Sequence, residues 1–100
     1  VIVGDDVTVG HNAIIHGCTI EAGALIGMGA IIMNGAVVGK GAVIGAGAVV
    51  KENMIIPKYS LVVGVPGKIV KTLNPKTYDQ NVKWAAKYVQ LANLHKGNQK

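Results

Sequence analysis

The sequence has no arginine, no phenylalanine, one cysteine, one tryptophan and three prolines. Each scarcity excludes something. With Cys18 as its only thiol, the chain forms no internal disulfide, which fits a reducing compartment and makes the cytoplasm the expected location. Without arginine there is no bidentate reader of guanine, and Trp84 and Tyr88 are spaced for a helix, so no nucleic-acid partner is expected. Gly, Lys, Asn or Glu interrupts every apolar stretch before the roughly 18 residues of a membrane span, and no signal peptide is visible. No membrane partner is expected.

Acidic residues are also few, five against ten lysines, and the imbalance is local. Residues 1–57 hold two lysines and four acids, whereas 58–100 hold eight lysines and only Asp79. The basic character therefore belongs to the tail, where lysines on a solvated helix face account for it. Half of the residues are hydrophobic, enough for one globular domain. The chain opens on Val1 already inside a repeat, so further sequence upstream is expected.

That repeat dominates the chain. Aliphatic residues recur at Val3, Val9, Ile15, Ile20, Ile26, Ile32, Val38, Ile44, Val50, Ile56 and Val62, every six residues except for one five-residue step from Ile15 to Ile20. Four positions after them come mostly small residues: Val7, Ala13, Thr19, Ala24, Ala30, Ala36, Ala42, Ala48, Met54 and Ser60. A period of six suits neither a helix nor simple alternation, and the 14 glycines are incompatible with an amphipathic helix. A short strand followed by a corner satisfies it. Three hexads make one triangular coil, which stacks each aliphatic on its counterpart in the next coil at a strand spacing of roughly 4.8 Å. Val3, Ile20, Val38 and Ile56 are expected to form one inward column. The expected fold is mainly β, a parallel β-helix of about three and a half coils over residues 1–66.

Residues 67–74 are expected as an exit linker and 75–96 as a helix, with Asn74 as N-cap, Pro75 at its first position and Gly97 as its stop. Tyr78, Val82, Ala85, Val89 and Ala92 would form its apolar stripe, packed on the β-helix or a neighbouring subunit. His95 closes that helix, where an imidazolium is favourable. Cys18 reads as a small buried packing residue, and Asp5-Asp6 as a corner between hexads.

The candidate site lies in "VGHNAIIHGC", Val9 to Cys18, which holds two of the three histidines. His11 and His16 fall in consecutive hexads beside the one short step and are expected on different faces of the prism. Ligand pairs on one element usually share a face, so the spacing alone leaves metal ligation and a bland surface role both open.

"VGDDVTVGHNAIIHGCTI", "IGMGAIIMNGAVVGKGAVIGAGAVV" and "VVGVPGKIV" together resemble the γ-class carbonic anhydrases. The resemblance covers nearly the whole chain, and its GH-x4-HGC spacing is the most specific part. It implies a left-handed β-helix, a homotrimer, and a metal held between subunits by three histidines. His11 would be the ligand offered to the adjacent chain, and His16 one of two from the other side, the third lying upstream of Val1. Zn²⁺ is the implied ion, with Fe²⁺ or Co²⁺ as alternatives. The implied activity is that of a lyase: reversible hydration of CO₂ to bicarbonate by metal-bound hydroxide at the trimer interface.

Two other readings stay open. In a hexapeptide acyltransferase, His16 would act as general base for an acceptor, with acyl-CoA between coils. The "VPGK" exit is compatible with that family, although Gly67 stands where alanine is expected. The remaining reading is a non-catalytic trimeric scaffold that engages partners through its tail helix.

Overall fold

The computed structural model describes residues 1–77. Ten two-residue strands follow one another at the hexad spacing, save for a five-residue step from the third to the fourth: β1 (Ile2–Val3), β2 (Thr8–Val9), β3 (Ile14–Ile15), β4 (Thr19–Ile20), β5 (Leu25–Ile26), β6 (Ile31–Ile32), β7 (Val37–Val38), β8 (Val43–Ile44), β9 (Val49–Val50) and β10 (Ile55–Ile56). Two longer strands, β11 (Ser60–Val63) and β12 (Lys68–Thr72), complete the set. Every third strand joins the same sheet, and all the stacked pairs up to β11 are parallel. The result is a three-sided parallel β-helix: face A is β1-β4-β7-β10, face B is β2-β5-β8-β11-β12 and face C is β3-β6-β9.

A two-residue strand presents its first side chain outward and its second inward, because successive Cβ atoms point to opposite sides of a strand. The second residue is the hexad aliphatic. Val3, Ile20, Val38 and Ile56 form the inward column of face A, in register from strand to strand. Val9, Ile26, Ile44 and Val62 do so on face B, and Ile15, Ile32 and Val50 on face C. Below the first coil these side chains have essentially no solvent exposure. Each contributes about 1.5–3 kcal/mol by leaving water.

Most corners between strands are four residues long, and all but the one between β3 and β4 turn on one residue in the left-handed region. Asp6, Asn12, Gly23, Gly29, Gly35, Gly41, Gly47, Asn53 and Tyr59 fill that place, with φ from 58° to 77°. Their amides bond to carbonyls of the coil above where one exists, as Gly29 does to His11 and Gly47 to Met28. The inward small residue then ends the corner, and Ala24, Ala30, Ala36, Ala42 and Ala48 are buried there.

Two sequence expectations need correcting. The short step lies in the corner His16-Gly17-Cys18, which lacks the left-handed residue, so the inward small position there falls on Cys18 rather than Thr19. The amides of Ile2, Thr19 and Val37 bond to the carbonyls of Cys18, Ala36 and Met54 in turn, which puts Cys18 in that column. Thr19 instead starts β4. Residues 67–74, expected as a linker, mostly form β12, which folds back antiparallel on β11 with a bulge between Leu61 and Val62. The β-branched run Ile69-Val70 finds open hydrogen-bonding groups along the free edge of β11, and strand pairing satisfies them.

From β12 the chain reaches Leu73, which is buried over the outward residues Val43 and Leu61 of face B. Asn74 Oδ1 accepts the amide of Lys76 at 2.9 Å, the bond an N-cap makes, and Pro75–Thr77 form a single 3₁₀ turn. The rest of the expected helix, through Lys96, lies outside the described residues.

Candidate metal centre on one face of the prism

His11 follows β2 and occupies the second position of the corner joining faces B and C. Its carbonyl accepts the amide of Gly29 at 2.9 Å, and the left-handed Asn12 (φ 60°) follows it. His16 comes directly after β3, at the start of the corner joining faces C and A, and donates its amide to the Ile32 carbonyl at 2.9 Å. Both residues are exposed, and neither imidazole hydrogen-bonds another described residue.

The two histidines therefore do not sit on different faces. They occupy opposite edges of one face, in one coil, with only Asn12 to Ile15 between them. Corner residues belong to prism edges, and face C is bounded by those two edges. Its outward surface is apolar: Ile14 is half exposed, with Ile31 and Val49 below it. Met28 lies beneath His11 on one edge and Met33 beneath His16 on the other.

The other candidates are kept apart. Asp5 and Asp6 form the corner between faces A and B, the one edge without a histidine. Cys18 is buried in the core, where loss of hydration pushes its thiol pKa up and keeps it protonated. His95 lies outside the described residues. Among the described residues no group of three or more His, Cys, Asp or Glu side chains comes together to hold a metal ion. A single copy of this segment thus presents two separated imidazoles.

Sequence reading passed over Asn34. Its Oδ1 accepts the amide of Gly17 at 2.9 Å across 17 residues of sequence, directly beside His16. The available signal was the short step itself, with an asparagine one coil later.

Known proteins resemble this chain over most of its length. The family described as "Bacterial transferase hexapeptide (six repeats)" matches residues 17–52, the part of the repeat that begins just past both histidines. The chain is 50% identical over 91 residues to a protein of Methanocaldococcus jannaschii named "Probable carbonic anhydrase". It is 43% identical over 94 residues to "Gamma carbonic anhydrase 2, mitochondrial" of Arabidopsis thaliana. This is a hexapeptide-repeat chain of the γ-carbonic-anhydrase-like kind.

As such it spans 57% of the length of the archaeal relative and 34% of the plant one, while 91% and 94% of its own length is matched. Among solved structures it superposes with a TM-score of 0.72 on a Bacillus cereus protein classed provisionally as an acetyltransferase, at 42% identity. That match covers 93% of this chain and 54% of the other. A hexapeptide transferase family protein of Anaplasma phagocytophilum gives a TM-score of 0.70 at 30% identity, covering 91% and 59%. No helix among the described residues is long and apolar enough to cross a membrane.

Proposed function

We propose that this chain carries two of the three histidines of a metal centre shared between subunits of a homotrimer, and that the assembled protein interconverts CO₂ and bicarbonate. The observation that carries the reading is the placement of His11 and His16 at the two edges of one apolar face. If three prisms turn face C toward a common threefold axis, the edge bearing His11 on one copy meets the edge bearing His16 on the next. Both histidines belong to one coil, so rotation about an axis parallel to the stack keeps them near the same height. Burying Ile14, Ile31 and Val49 supplies the apolar contact that such an assembly needs.

The residues present suit a zinc-class ion. Both imidazoles are solvent-accessible and free of other partners among the described residues, and neutral imidazole nitrogen is a preferred ligand of Zn²⁺ as well as of Fe²⁺ and Co²⁺. Three histidines leave one coordination position open, and a bound ion there supplies Lewis acidity and a nucleophile at neutral pH. The contribution of this chain is to hold the two imidazoles on rigid corners and to surround them with methionine, isoleucine and valine. An apolar approach of this kind suits an uncharged substrate such as CO₂.

Metal analysis of the full-length protein tests the proposal: one ion per subunit is expected, lost in both His11→Ala and His16→Ala, with CO₂ hydration lost in step. Full-length protein that purifies and reconstitutes without metal would overturn it.

A second reading rests on the repeat family and on the Bacillus cereus neighbour. In an acyl-CoA-dependent acyltransferase, His16 would take the proton of an acceptor hydroxyl or amine. Saturable CoA binding at micromolar concentration, in protein that holds no metal, would favour it.

A further inference from the structure

We propose that Asn34 is a positioning residue for His16; the inference rests on the metal reading above and adds a residue from a different coil to that site. The corner His16-Gly17-Cys18 spans the one five-residue step of the repeat and has no left-handed residue to brace it. Gly17 is instead held from below through the peptides on both sides of its Cα. Its N–H donates to Asn34 Oδ1 at 2.9 Å, and its carbonyl accepts the amide of Gly35 at 2.8 Å.

The peptide plane that carries the Gly17 N–H also fixes ψ of His16. Latching that N–H therefore sets the direction in which the imidazole leaves the corner. Glycine has no side chain to restrain the plane by itself, and freedom there would pass directly to His16. Asn34 is supported in turn: its carbonyl accepts the Asn53 amide at 3.0 Å, and Asn53 Oδ1 lies against Gly35. Asparagine side chains from two coils thus stand under the one histidine corner of irregular length. The contact is exposed, so its chief effect falls on orientation rather than on folding.

The test uses full-length protein and cobalt(II), titrated by its visible absorption, alongside NMR of the metal-free protein. Asn34→Ala is expected to weaken cobalt binding about 10- to 100-fold, the usual size of an outer-shell effect. In metal-free protein it should also speed exchange of the Gly17 amide and raise the mobility of the His16 ring. Asn34→Asp, which keeps an acceptor oxygen, is expected to restore both readouts; Asn34→Ser, too short to reach Gly17, repeats the loss if the alanine variant does not fold. Unchanged cobalt affinity in Asn34→Ala, or a His16 ring equally ordered in wild type and variant, overturns the proposal. If wild-type protein binds no cobalt through His11 and His16, the metal reading fails by itself. Ring mobility then decides the role of Asn34: a rise supports it and no change overturns it.

Discussion

Ile26 lies directly above Ile44 in the inward column of face B, with both side chains wholly shielded from solvent. Val62 continues the column below. Ile44→Ala removes the middle of three stacked side chains and leaves a cavity that rigid strands on either side cannot close. It should destabilise the folded protein by about 2–5 kcal/mol, read by denaturant titration. A loss below about 1 kcal/mol would mean that the stack is far less tightly packed than described.

Glycines at two corner positions should respond differently. A Cβ on Gly27 would stand 2.6 Å from the Ala46 nitrogen, a contact with backbone that cannot move aside, whereas a Cβ on Gly47 meets nothing within 4 Å. Gly47 does carry a φ of +70°, and Asn12 already adopts that conformation in the same column. Gly27→Ala is expected to cost about 1–3 kcal/mol through overpacking. Gly47→Asn should be near neutral, and Gly47→Val strongly unfavourable; melting temperatures of the three variants give the comparison.

If the metal is shared, the two histidine variants should complement each other. His11→Ala and His16→Ala each lose every site when assembled alone. A mixed trimer, formed by refolding both together, regains one interface with His11 from one copy and His16 from its neighbour, so metal content should return to roughly one third of wild type in the mixed trimers and about one quarter in an equal mixture as a whole. No recovery from well-formed mixed trimers would place the ligands within a single subunit.

Burial raises the pKa of Cys18 in the folded state, while in the unfolded chain the thiol ionises at its ordinary value. Between those two values the native state holds a proton that the unfolded state has released, so stability falls as pH rises. The contribution is fully present below the unfolded thiol pKa and is lost at alkaline pH. Cys18→Ala should flatten this alkaline decline, measured as the change in unfolding midpoint with pH, and native Cys18 should react slowly with iodoacetamide. Equal alkaline sensitivity in wild type and variant would show that the thiol is not the group responsible.

The hexad aliphatics made most of the fold legible, because a period of six admits a strand and a corner and little else. Val3, Ile20, Val38 and Ile56 stack as that period requires. The five-residue step was visible, but its effect was not. Counting from Ile15 placed the buried position on Thr19, whereas the missing residue is the left-handed one, and Cys18 moves inward. The histidines could be found from their rarity, but their common face could not: a hexad register assigns strand residues to faces and leaves corner residues between two. β12 escaped notice because Gly67, Asn74 and the lysines read as a loop, while its pairing depends on the free edge of β11, which is set by the whole stack.

β12 also sets how the protein can change in length. A whole coil here is 18 residues, the offset of Ile20 from Val38, so inserting one between existing coils would leave the exit strand on face B and push it along the stack by roughly 4.8 Å. Inserting a single hexad between β8 and β11 would carry β11 and the exit strand together to the next face, away from Val43, and strip Leu73 of that part of its cover. Length variation at that point is thereby quantised: growth by full turns preserves the lower closure, and growth by thirds of a turn splits it.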